Sequence, residues 1–145
     1  MSTLYSHRKT NNDALRGWRD DLAAAGRADD TITVRMSHAR RCVEHIDKPV
    51  STATREDLAG WLARGKWGPA ARRSARTSIR LFWRWMAATG RVAEDVADGL
   101  PTVLQPRPTP RPVPDVIVMD AIRQAPARTA LAIEIMATCG LRPGQ

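Results

Sequence analysis

Several things are scarce in this chain, and each scarcity excludes a class of protein. There are two cysteines, Cys42 and Cys139, far apart and without a CxxC partner. Neither a disulfide framework nor a thiolate zinc site can be built from them, and small thiols in a reducing cytosol are expected. Three histidines, His7, His38 and His45, complete no metal-ligand spacing, so no metal or cofactor is expected. No run approaches the ~18 apolar residues of a membrane span, and Met1 to Asn12 is polar with no signal-peptide core. A soluble, cytoplasmic protein without a membrane partner is expected. Tyr and Phe occur once each, as Tyr5 and Phe82, whereas Trp occurs five times. Lysine is rare too: Lys9, Lys48 and Lys66 are the only ones among 23 basic residues, so the net charge of +8 is carried by arginine. A planar guanidinium donates two parallel hydrogen bonds to phosphate, and a basic balance favours a polyanionic partner.

The rest reads as helix, all-α, with 43% hydrophobic residues to form a core. Leu15, Trp18, Leu22 and Ala25 recur at helical steps from Asn12, and Gly26 can close that helix in a left-handed cap. Ile32, Met36, Ala39, Val43 and Ile46 form the stripe of a second helix, with Thr31 as N-cap and Pro49 just beyond. Thr54 and Asp57 have capping-box spacing ahead of Leu58, Trp61 and Leu62 in a third helix. A fourth helix starts near Pro69, ends near Ala88 and is closed by Gly90. Its core stripe is Ala75, Ile79, Phe82 and Met86, with Trp83 alongside.

This fourth helix also carries Arg72, Arg73, Arg76, Arg80 and Arg84. At about 100° per residue, four-residue steps drift by only about 40°, so these arginines share one arc, away from the core stripe. Ordinary solvated faces mix signs to gain i,i+4 pairs, but from Pro69 to Arg91 there is no acidic residue. Such a stripe suits the phosphates of DNA or RNA, with a few members able to read guanine. Charge reversal at Arg76 and Arg80 is expected to weaken binding and leave folding intact. On the second helix, Arg35, His38, Arg41 and His45 form a weaker basic flank, with Arg40 on the other side. Trp18, Trp61 and Trp83 sit at core spacing. Trp67 and Trp85 can either pack or stack on a base.

Pro101, Pro106, Pro108, Pro110, Pro112 and Pro114 then cluster, carrying Arg107 and Arg111 between them. Alternating proline removes backbone donors and fixes φ, so an extended interdomain linker is expected. Two more helices follow, Asp115 to Gln124 and Pro126 to Thr138. Leu131, Ile135 and Thr138, with Ala132 and Met136 beside them, fit one buried face. The chain divides on this reading into a flexible N-terminus (1–11), a DNA-binding domain (12–100), a linker (101–114) and a final helical segment (115–145).

Four helices, a basic fourth helix, a proline-rich linker and then Gly140-Leu141-Arg142 resemble the tyrosine recombinases, the phage integrase family. Thr77 to Trp85 is similar to the family's aromatic-rich helix before Gly. Val96 to Pro101 is similar to its exit into the linker, without the usual Asn-Pro. Leu131 to Gly144 is similar to the entry of its catalytic domain. The resemblance implies a four-helix, SAM-like core-binding domain, a linker and a truncated start of the catalytic domain. It implies that Arg142 is the first catalytic arginine, which neutralises charge building on a pentavalent phosphate. Cys139 stands where the family commonly has Thr, and Gln145 where an acidic residue is frequent. No second arginine motif, no His-x-x-Arg and no late Tyr follow.

The resemblance therefore implies double-stranded DNA of an attachment or core-type site as partner, and other recombinase subunits on that DNA. It implies DNA integration or recombination of a phage or mobile element as the family role. The expected DNA contacts are Arg35, His38, Arg41, Arg72, Arg73, Arg76, Arg80, Arg84, Arg107 and Arg111. Cleavage by this chain alone is not expected. Two other readings stay open: a short integrase-like regulator, and a helical module whose basic face meets an acidic protein.

Overall fold

A computed structural model describes residues 2–104 and 112–140, with the side chains of residues 2–6 outside the description. It is all-helical over these residues: α1 (Ser2–Ala24), α2 (Asp29–Ile46), a 3-10 turn (Val50–Thr52), α3 (Arg55–Arg64), α4 (Pro69–Ala88), α5 (Asp115–Gln124) and α6 (Ala127–Cys139). The chain divides into two compact units, Met1–Pro106 and Arg107–Gln145.

In the first unit α2 lies against α1, α3 and α4. The core stripes meet there: Leu58, Ile79, Phe82, Trp83 and Met86 are all but inaccessible. Trp18 of α1 tilts onto Phe82 at 5.1 Å between ring centres, and Trp83 meets the same ring edge-on at 4.9 Å. Cys42 is buried here, and that burial, with Asp57 a smaller cause, pushes its thiol pKa up.

The caps largely follow local chemistry. Thr54 and Asp57 close the capping box on α3. Gly26 takes φ +66° after α1, a conformation a Cβ resists. On α2 the helix instead begins at Asp29 with Ala28 as the boundary residue, so Thr31 is not its N-cap. Asp29 and Asp30 in the first turn face the positive end of the helix dipole.

The largest departure is at the N-terminus. In place of a flexible stretch to residue 11, α1 begins at Ser2. Asn11, 5% exposed, ties α1 to the connection between α2 and α3. Its side-chain amide donates to Lys48 O, and its carbonyl accepts from Val50 N–H, each at 3.0 Å. One polar side chain thus satisfies two backbone groups of the α2–α3 connection. Apolar periodicity does not register such a contact.

After α4 the chain turns back onto the unit. Ala97 and Leu100 are buried, and Asp95 Oδ1 accepts from Ala97 N–H at 3.0 Å. In the second unit α5 and α6 pack on each other, yet neither buries a residue. The apolar face of α6 is open, with Leu131 57% and Ile135 38% exposed. A pair of helices has too little surface to enclose both apolar stripes.

Candidate nucleic-acid interface

The N-terminal halves of α2 and α4 line one open groove of about 530 Å³. Arg35, Thr31 and Val34 rim it from α2, and Arg73, Ser74 and Thr77 from α4. Arg35, Arg73 and the hydroxyls of Thr31 and Ser74 offer donors to a phosphate backbone, while Thr77 gives its proton to Arg73 O and Asp30 places one carboxylate on the same rim. Val34, 46% exposed, adds an apolar contact of the kind that meets a thymine methyl. Residues 31, 34, 74 and 77 carry no charge, so a search for basic stripes passes them by. Their position between Arg35 and Arg73 is the signal, and it needs α2 laid beside α4.

His38 lies between the same two helices, and its Nδ1 is 2.9 Å from Ser78 Oγ. Ser78 Oγ donates its single proton to Ser74 O at 3.0 Å. Nδ1 must therefore carry the proton that Ser78 accepts, which leaves Nε2 as an acceptor in the neutral ring. Burial, and secondarily the charge of Arg41, holds the His38 pKa below its ordinary value. The geometry makes His38 a strut between α2 and α4, backed by the Trp67 ring at 5.8 Å. Trp67 in turn meets Trp61 edge-on at 5.1 Å.

The α4 arginines do not act as one stripe. Arg73 and Arg84 are exposed, whereas Arg72, Arg76 and Arg80 are half-buried. Arg76 donates to Leu100 O at 2.8 Å and Arg80 pairs with Asp98 Oδ1 at 3.2 Å. Arg72 reaches toward Gly65 O, a long contact at 3.5 Å. Burial, then the neighbouring Arg80 charge, lowers the pKa of Arg76. The returning segment brings carbonyls that need donors, and Arg76 supplies one. Arg76 is thus part of the fold as well as of the basic face, and reversing its charge cannot leave folding untouched. Arg80 and Arg84 share a small hollow with Asp95 beside Thr77. Thr77 rims both this hollow and the α2–α4 groove, so the outer face of α4 between them is continuous.

Arg41 does not line the groove that Arg35 rims. It lines a hollow against α1 together with Arg19, Arg40, Asp29 and Glu44, a mixed-sign surface of the ordinary solvated kind. His45 faces Arg64 of α3 at 3.3 Å. Trp85 packs: its indole nitrogen donates to Asp21, its ring lies along Phe82, and the Arg91 guanidinium sits 5.0 Å over it. Arg107, Arg111 and Arg142 lie outside the described residues, as does Gln145. Cys139, at the end of α6, is exposed.

No family model matches the chain, and no curated protein matches it. Among solved structures it is similar to the integrase from mycobacterium phage Brujita, with a TM-score of 0.63 and 23% identity. That similarity covers 88% of this chain and 45% of the integrase, so the chain spans less than half of that protein's length. Over this length the chain shares the helical fold of that integrase.

Proposed function

We propose that this chain is the DNA-binding portion of a site-specific tyrosine recombinase of phage-integrase type, acting with other subunits on an attachment-type duplex. It grips DNA and does not cleave it alone. Residues 12–100 form the core-binding domain, 101–114 the linker, and 115–145 the start of the catalytic domain. Arg142 is the first catalytic arginine. The supporting observation is the α2–α4 groove, where Thr31 and Arg35 of α2 face Arg73 and Ser74 of an acid-free α4, with Asp30 the one acid on the rim. DNA integration or recombination for a phage or other mobile element, in a bacterial cytoplasm, is the role this supports. Among the described residues no helix is long and apolar enough to cross a membrane.

The test is binding of a fluorescently labelled duplex by the chain and by an Arg73→Glu, Arg84→Glu double variant, read by anisotropy over a range of salt. Both side chains are exposed, so melting temperature is expected to hold. Each lost phosphate contact lowers the slope of log K against log salt by about 0.9, so the slope is expected to fall by about 2. Unchanged affinity and slope in the double variant would overturn this face as the DNA contact, and absence of duplex binding by the parent chain would overturn the reading and favour an acidic protein partner.

A further inference from the structure

From Pro69 to Arg91 there is no acid; Asp21 of α1 meets Trp85 of α4 and Asp30 of α2 lines the groove by Arg73, and the carboxylates beside Arg80 and Arg84 come from the segment that follows. Asp98 Oδ1 lies 3.2 Å from the Arg80 guanidinium, and Asp95 borders the hollow that Arg80 shares with Arg84. The Asp98 side chain is 74% exposed and that of Arg80 is 35% exposed. Two neighbouring contacts hold the same segment differently: Arg55 Nε donates to Gly99 O and Arg76 to Leu100 O, each at 2.8 Å. These two use neutral carbonyl acceptors. Asp95 Oδ1 accepts from Ala97 N–H, whereas Asp98 presents its anionic oxygen directly to an arginine of the basic face, as a phosphate oxygen would be presented.

Resting on the DNA-binding reading above, we propose that Asp98 is a built-in competitor for a phosphate site formed by Arg80 and Arg84. In the free protein the carboxylate occupies Arg80; on a duplex, a phosphodiester oxygen takes its place. The exposed pair is weak enough to yield, because solvent-facing ion pairs contribute little. The segment stays docked through Arg55 and Arg76 when Asp98 lets go. Asp98 thus lowers the affinity for duplex of any sequence.

Four proteins and one control test this: the chain, Asp98→Asn, Arg80→Gln, the double variant, and Glu94→Gln. Glu94 is an exposed acid on the same segment, so its loss changes net charge equally. Anisotropy of a labelled mixed-sequence duplex at low salt gives each affinity, after circular dichroism confirms helix content. Asp98→Asn is expected to tighten binding about two- to fivefold, the worth of an exposed pair. In the Arg80→Gln background that gain is expected to vanish, and Glu94→Gln is expected to give less of it. Equal tightening with and without Arg80, or equal tightening by Glu94→Gln, would mean a general charge effect and overturn the proposal. No change on Asp98→Asn would overturn it as well. Absence of duplex binding by all five proteins would instead remove the DNA reading on which it rests.

Discussion

Gly65 offers a test of how the α2–α4 groove is held up. Its φ of −70° and ψ of 135° suit any residue, so backbone strain is not the reason for a glycine. A Cβ there would lie 1.0 Å from Nε1 of Trp67 and 1.4 Å from its Cδ1. Gly65→Ala must therefore expel the indole. The expelled ring loses an edge-on contact with Trp61 and a tilted contact with His38. Aromatic pairs contribute about 0.5–1.5 kcal/mol each beyond area burial, so the two together amount to about 1–3 kcal/mol. The reduced entropy of the unfolded chain on replacing glycine returns about 0.4–1 kcal/mol. The difference spans about 0–2.6 kcal/mol, centred on about 1 kcal/mol of destabilisation, and at about 4–8 °C per kcal/mol the melting temperature is expected to fall by several degrees.

Gly60, inside α3, is the matched comparison. A Cβ there meets nothing within 4 Å, so Gly60→Ala is expected to stabilise by about 0.5–1 kcal/mol from helix propensity. Paired thermal and urea unfolding of the two variants reads opposite signs from one chemical change. Gly65→Ala should also weaken duplex binding, since His38 loses the ring behind it. Melting of Gly65→Ala at or above the parent temperature would show that Trp67 is not held over Gly65, and the strut argument would fail with it.

Asn11→Ala removes the acceptor of the buried Val50 N–H and the donor to Lys48 O, and is expected to cost about 1–3 kcal/mol in urea unfolding. His38 has a folded pKa below its ordinary 6.5, so the unfolded chain binds its proton first. The stability linked to it is complete above 6.5 and is lost as pH falls from there toward the folded value. His38→Gln should therefore gain on the parent protein between pH 7 and pH 5, as measured by denaturant unfolding across that range.

Much of the fold was legible because helices announce themselves by period and punctuation. The stripe Ala75, Ile79, Phe82 and Met86 is buried as its spacing requires, and Pro69, Thr54 and Gly26 mark the boundaries they should. The first ten residues were illegible because polar spacing hides a buried asparagine. Asn11 is held by groups nearly forty positions downstream, and no local pattern encodes that. The apolar face of α6 was legible as a pattern, but burial depends on what surrounds it. Leu131 and Ile135 remain exposed beside α5.

The basic site shows a different limit. An arc of arginines on a helical wheel counts donors, and what each donor does depends on acceptors brought by the rest of the chain. Arg76 and Arg80 lie on the same arc as Arg73 and Arg84, yet the first two meet Leu100 O and Asp98. The acceptors sit 24 and 18 residues further on, past a turn that the wheel does not contain. A residue can serve both purposes when its internal partner is exposed and weak, as for Arg80. It is committed to the fold when burial lowers its pKa and its partner is a backbone carbonyl, as for Arg76. Arginines on one face of a DNA-binding helix therefore divide by the strength of what they already hold, and the members most available to phosphate are those whose present partner costs least to release.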